Sequence, residues 1–198
     1  MRIGVSSYVS TLLALATVSG GVAEGASQSA RPAVMVMLQN EAKLPPHLVA
    51  RTQALVTRLF NEIDVGIDWV NDLPTSGGRL RVVSLTNWEP DDRAVDKAAL
   101  GITPVEEAKA GVRGYVFWPR IQRASQKFTA SLDNLLAAAI AHELGHMLLP
   151  YSAHESRGLM HSPWDASHFG LASAGLLAFS PETAASIRRE LADRITAR

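Results

Sequence analysis

Apolar positions change their spacing several times along the chain, and each change marks an element. An almost wholly apolar or small-residue run fills positions 3–23, centred on Leu-Leu-Ala-Leu-Ala at 12–16, with Arg2 ahead of it. A charged start, an apolar middle and small residues near a cut are the layout of a secretory signal peptide. The strongly apolar centre is short for a bilayer span. Residues 1–26 are therefore expected to be a leader, cut somewhere between 23 and 30, and residues 31–198 to be one folded domain. No later hydrophobic segment is long enough to cross a bilayer, so no membrane association is expected once the leader is gone.

Beyond the leader the pattern alternates between strand and helix signals. Residues 33–38 form a short continuous apolar run suited to a buried strand. Pro45-Pro46 opens a helical pattern in which Leu48, Leu55, Leu59 and Ile63 share a face with Thr52. Residues 65–70 read as a second strand, 71–78 as turn, and 79–85 as a third strand with one wet face. The stretch 87–113 reads mostly as loop, with a short edge strand within 98–104. Residues 114–118 read as a strand ended by Pro119. A strongly apolar segment at 135–141 predicts a helix capped by Ser131 or Asp133, continuing to about Leu149 and stopped by Pro150. A last helix is expected from Pro181 to about Ile195, with Ser180 as N-cap. The sum is an α+β domain.

Composition narrows the chemistry. Hydrophobic residues make up 47% of the 198 positions and charged residues 19%, which is enough apolar surface for a folded core. Lys+Arg and Asp+Glu both number 19, so no basic excess favours a nucleic-acid partner. The absence of Cys excludes disulfides, thiolate metal sites and cysteine nucleophiles, leaving His, Asp and Glu as metal donors. Of the six His, five fall between His142 and His168.

Two of those five belong to His142-Glu143-Leu144-Gly145-His146, an H-E-x-x-H sequence on the apolar helix. Residues four apart differ by about 40° around a helix axis, so both imidazoles point the same way and can meet one metal ion. Glu143 lies about 100° round from His142, beside the ion, where a carboxylate can take a proton from a metal-activated water. Burying two imidazoles and a carboxylate among Ala, Leu and Ile needs a reason, and a metal site supplies one. Gly145 costs about 1 kcal/mol relative to Ala inside a helix. Its missing side chain is expected to let another backbone segment approach. His154, eight residues past His146 and beyond Pro150, can return to the metal as a third donor. Glu155, His161, Asp165 and His168 are alternative donors. Tyr115 and Tyr151 are candidate donors to a developing oxyanion.

Gly158-Leu159-Met160 follows shortly after His154. Together, residues 142–164 resemble a zincin metallopeptidase of the metzincin type, in particular small exported bacterial proteins with a Gly-Ile/Leu-Met turn. The resemblance implies a zincin-like fold: a small mixed sheet packed on two helices, the H-E-x-x-H helix and a C-terminal helix. It implies Zn2+ held by His142, His146 and His154, Glu143 as general base, and Met160 as an apolar floor beneath the histidines. It also implies an edge strand that binds substrate as an added strand, for which Leu100, Gly101 and Ile102 are the candidates. The spacing departs from the family in one respect. Leu149 stands where metzincins carry Gly, and His154 comes two residues late.

The expected function is that of a secreted or periplasmic zinc endopeptidase, acting as a monomer on peptide or protein substrates. A non-catalytic metal-binding module, or a degenerate peptidase-like one, is the alternative.

Overall fold

The computed structural model describes residues 31–72, 80–91, 95–104, 112–149 and 154–196, and the expected leader, the turn residues 73–78, Pro150 and Tyr151 lie outside them. In chain order these residues give β1 (Ala33–Asn40), α1 (Pro46–Asn61), β2 (Gly66–Trp69), β3 (Arg81–Thr86), β4 (Gly101–Ile102) and β5 (Arg113–Phe117). Four helices follow: α2 (Trp118–Phe128), α3 (Leu132–Leu148), α4 (Ala166–Ser173) and α5 (Pro181–Thr196). This is a mixed α+β fold, with a sheet of order β2-β1-β3-β5-β4. Neighbouring strands run parallel except at one edge, where β4 runs antiparallel to β5. Among the described residues no helix is long and apolar enough to cross a membrane.

Burial along β3 differs from the expected alternation. Arg81, Val83, Ser84, Leu85 and Thr86 are all buried, and only Val82 is half-exposed. The reason is its place in the sheet: β1 pairs with it on one side and β5 on the other, and inner parallel strands are covered on both faces. On α1 the buried stripe runs through Thr52, Val56, Leu59 and Phe60 to Ile63, so Leu48 and Leu55 flank it. Phe60 meets Phe179 edge to face at 5.1 Å, which ties α1 to the segment leading into α5.

Helix α3 forms the centre of the molecule. Every residue of 135–148 is buried, so its apolar character on all sides reflects neighbours on all sides. It packs on α1, α2, α4 and α5 and on β3, β4 and β5. Gly114 of β5 makes that contact close: a Cβ there would lie 2.8 Å from Met147 Cε and 3.2 Å from Glu143 Cβ. Ser131 occupies the N-cap position but does not cap with its side chain; its hydroxyl donates to Asp133, whose carboxylate accepts the Asn134 N–H at 3.0 Å. Ser180 does cap α5, its Oγ accepting the Thr183 N–H at 3.0 Å.

Two helices are additions to the sequence reading. Pro119 does not merely end β5; it sits in the first turn of α2, where its missing N–H is harmless. The stripe of α2 was hard to read because one of its three buried positions is Arg120. Helix α4 is started by Asp165, whose Oδ1 accepts the Ser167 and His168 N–H groups at 2.9 and 3.1 Å.

Arg120 also fixes the segment that leads into β4. Its guanidinium donates to the carbonyls of Asp96 and Ala99 at 2.7 and 2.8 Å and to Glu89 at 3.4 Å, with the side chain 4% exposed. Removing it leaves the Asp96 and Ala99 carbonyls without this donor and leaves a void where a buried side chain stood. Arg120→Ala is expected to lower unfolding stability in urea by about 3 kcal/mol, and Arg120→Lys by less, because the forked contact is lost but the charge is kept.

Candidate metal centre

One turn of α3 puts the rings of His142 and His146 side by side, with centroids 4.7 Å apart. Their Nε2 atoms lie 3.1 Å from each other. The ring of His154 arrives from beyond the helix, 5.4 Å from His142 and 5.0 Å from His146 by centroid. One donor nitrogen from each of the three falls within 4.8 Å of the others. Two ring nitrogens at 3.1 Å, with a third imidazole nitrogen within 4.8 Å, make a donor set that could hold a cation. Tetrahedral zinc with Zn–N near 2.05 Å spaces its nitrogens by about 3.3 Å, close to the separation of the His142 and His146 Nε2 atoms.

The surroundings fix the tautomer of one of these rings. His142 Nδ1 lies 2.7 Å from the Leu159 carbonyl, which can only accept, so Nδ1 carries the proton and Nε2 keeps its lone pair. Burial pushes the His142 pKa down to about 4, against the pull of that carbonyl. Burial first, then His142 and His154 beside it, takes His146 to about 3. His154, more open, is lowered by partial burial and by His161. Both helix imidazoles are thus neutral around pH 7.

The floor under the rings comes from the turn after His154. Gly158 adopts a φ of +76°, a left-handed backbone that favours glycine, and Leu159 N–H donates to Ala178 at 2.8 Å. That turn aims the Leu159 carbonyl at His142 and buries Met160 completely. A Cβ on Gly145 would lie 2.5 Å from Met160 Sδ. The missing side chain of Gly145 therefore admits the Met160 thioether, and the expectation that it admits a backbone segment is corrected.

Glu143 points toward the sheet. Thr103 Oγ1 donates to its Oε2 at 2.8 Å, and a Cβ on Gly101 would lie 2.6 Å from its Oε1. Burial raises the Glu143 pKa to about 8, partly offset by the Thr103 hydrogen bond. Leu100, Gly101 and Ile102 line a cleft of about 600 Å³ together with His142, Glu143 and His146 on one side and the stretch 161–164 on another. Gly101 pairs with Val116 and Ile102 with Tyr115, which places β4 at the edge of the sheet.

The alternative donors make other contacts, though Glu155 Oε2 is buried without a partner. Glu155 accepts from Ser180 Oγ at 3.0 Å and from Thr183 Oγ1, at the start of α5. Asp165 caps α4 and binds His168 Nδ1 at 2.7 Å. His161 lines the cleft, but its Nδ1 meets the Glu155 carbonyl at 2.9 Å and its ring stacks on His168 at 4.3 Å. None of the four joins the cluster of three. Tyr115 follows Gly114, which faces α3, so its side chain takes the opposite face of the sheet, away from the histidines. Sequence reasoning passed over the roles of Thr103, Gly114 and the Leu159 carbonyl, because none belongs to a spaced motif.

A scan against protein-family models finds no match for the chain, and a search of curated proteins finds none either.

These shifts predict how the protein, kept in chelator, responds to pH. Glu143 has a folded pKa of about 8 against 4.5 unfolded, so its contribution to stability is present below 4.5 and lost as pH rises toward 8. Glu143→Gln removes that loss. The chelated variant should be more stable than the chelated parent above pH 8, by on the order of a few kcal/mol, and the gap should close near pH 4.5. The histidines act in the opposite sense. Their folded pKa values of about 4 and about 3 lie below 6.5, so both proteins should lose melting temperature as pH falls below 6.5.

Proposed function

We propose that this chain is a zincin-like endopeptidase, secreted or periplasmic, that hydrolyses peptide bonds as a monomer with a Zn2+ ion held by His142, His146 and His154. The observation that carries the reading is the convergence of three imidazole donors within 4.8 Å beside a buried glutamate in one cleft. The antiparallel edge strand β4 on that cleft supports a peptide as substrate, since an extended chain can continue the sheet there. The zincin-like assignment rests further on the buried Met160 under Gly145 and on the two-sided packing of α3.

When bound, zinc would supply a Lewis acid that polarises the scissile carbonyl and acidifies a water at neutral pH. The chain's own residues do the rest. Glu143, which reaches the cleft beside the imidazoles, takes a proton from the attacking water and passes it to the leaving amine. Leu159 fixes the tautomer of His142 through its carbonyl, and Met160 holds the helix surface beneath the rings. Gly101 and Ile102 offer backbone groups that orient the peptide across the cleft.

A second reading, a non-catalytic metal-binding module, has one observation in its favour: the Glu143 side chain is 4% exposed and already hydrogen-bonded to Thr103. Metal analysis and a fluorogenic peptide assay separate the two. Wild-type protein should bind one zinc and cleave. Glu143→Gln should keep the zinc and lose at least about a hundredfold in kcat; retained activity would remove Glu143 from its role. His142→Ala should lose zinc and activity together. Zinc binding without cleavage in the wild type would favour the second reading.

A further inference from the structure

Three positions, in or just after β4 and in its neighbour β5, are shaped around a single carboxylate. Thr103, buried and directly after β4, donates from Oγ1 to Glu143 Oε2 at 2.8 Å and lies 3.2 Å from the Glu143 carbonyl oxygen. Gly101, two residues earlier, leaves room for Oε1; a methyl there would lie 2.6 Å from that oxygen and equally close to the Tyr115 carbonyl. Gly114 on the neighbouring strand leaves room for the hydroxyl itself, since a Cβ there would lie 2.8 Å from Thr103 Oγ1. A buried hydroxyl spends its single donor on one acceptor, and here the shorter contact is to the carboxylate. No helix-spacing rule produces this arrangement; it comes from β4 lying across the end of the Glu143 side chain.

We infer that Thr103 is a positioning residue for Glu143, and that β4, which offers its edge to the cleft, also sets the rotamer of the base. The inference rests on the hydrolytic reading of this site. The strand that would receive a peptide and the strand that holds the base are then the same. A peptide pairing with Gly101 and Ile102 stiffens the segment from which Thr103 reaches Glu143. Thr103 affects turnover rather than metal binding, because its contact is with the carboxylate and not with any of the three imidazoles.

The test uses full-length zinc-loaded protein and the best-cleaved member of a fluorogenic peptide library. Thr103→Val keeps the shape of the side chain and removes the hydroxyl. It should lower kcat by about tenfold to a hundredfold while KM stays within about twofold. Zinc affinity, measured by competition with a chelating dye, should match that of the wild type. Thr103→Ser should recover most of kcat, which a role limited to packing of the threonine methyl does not predict. Gly101→Ala should lower kcat with zinc retained. The inference is overturned if Thr103→Val leaves kcat unchanged while Glu143→Gln abolishes it, an outcome that leaves the hydrolytic reading standing.

If the wild type binds zinc but cleaves nothing, the hydrolytic reading fails and the contact is judged by melting temperature. In chelated protein, Thr103→Val and Glu143→Ala should then lower the melting temperature by less together than the sum of their separate effects. Additive effects would overturn the Thr103–Glu143 contact itself.

Discussion

The structure depends on burying one carboxylate and two imidazoles inside a helix that is enclosed on all sides. Such groups are costly to take out of water without partners. His142 has a backbone carbonyl and Glu143 a threonine hydroxyl, and the two facing Nε2 atoms lie 3.1 Å apart, while His146 Nδ1 is buried without a partner. The rest of the fold can be understood as the apparatus that lets α3 be surrounded so closely. Glycines at 114 and 145 remove the side chains that would hold the sheet and the methionine turn away from it.

Much of this was legible in the sequence, for identifiable reasons. Strands β1, β2 and β5, helix α1 and the cap of α5 follow from local pattern, because each element's apolar residues recur at its own period. His142, His146 and Glu143 were found because their relation is contained within one helical turn. His154, singled out as an expected third donor, lies close to the other two imidazoles. The elements that escaped have mixed signals. Helix α2 buries an arginine on its inner face; β3 reads as a strand, but its covering on both faces depends on neighbours that no local window contains. Helix α4 is only eight residues long, and its cap, Asp165, also looked like a metal donor. Thr103 escaped because its relation to Glu143 spans forty residues of chain, and sheet pairing rather than spacing brings them together.

The angular arithmetic of α3 explains why the glutamate and the histidines have different neighbours. Taking His142 as zero, His146 lies at about 40°, Glu143 at about 100°, Met147 at about 140°, and Gly145 at about 300°. Glu143 and Met147 therefore share one side, and both meet Gly114 of β5. Gly145 falls about 160° away from Glu143 and meets Met160 and Phe179. The helix is gripped from two nearly opposite directions, by the sheet edge and by the turn after His154. The imidazoles occupy the sector between, which faces the cleft. A single rotation of the helix would spoil both grips at once. The angle between Glu143 and the two imidazoles is therefore set by the helical repeat and locked by packing on both flanks, with no contribution needed from the cleft itself.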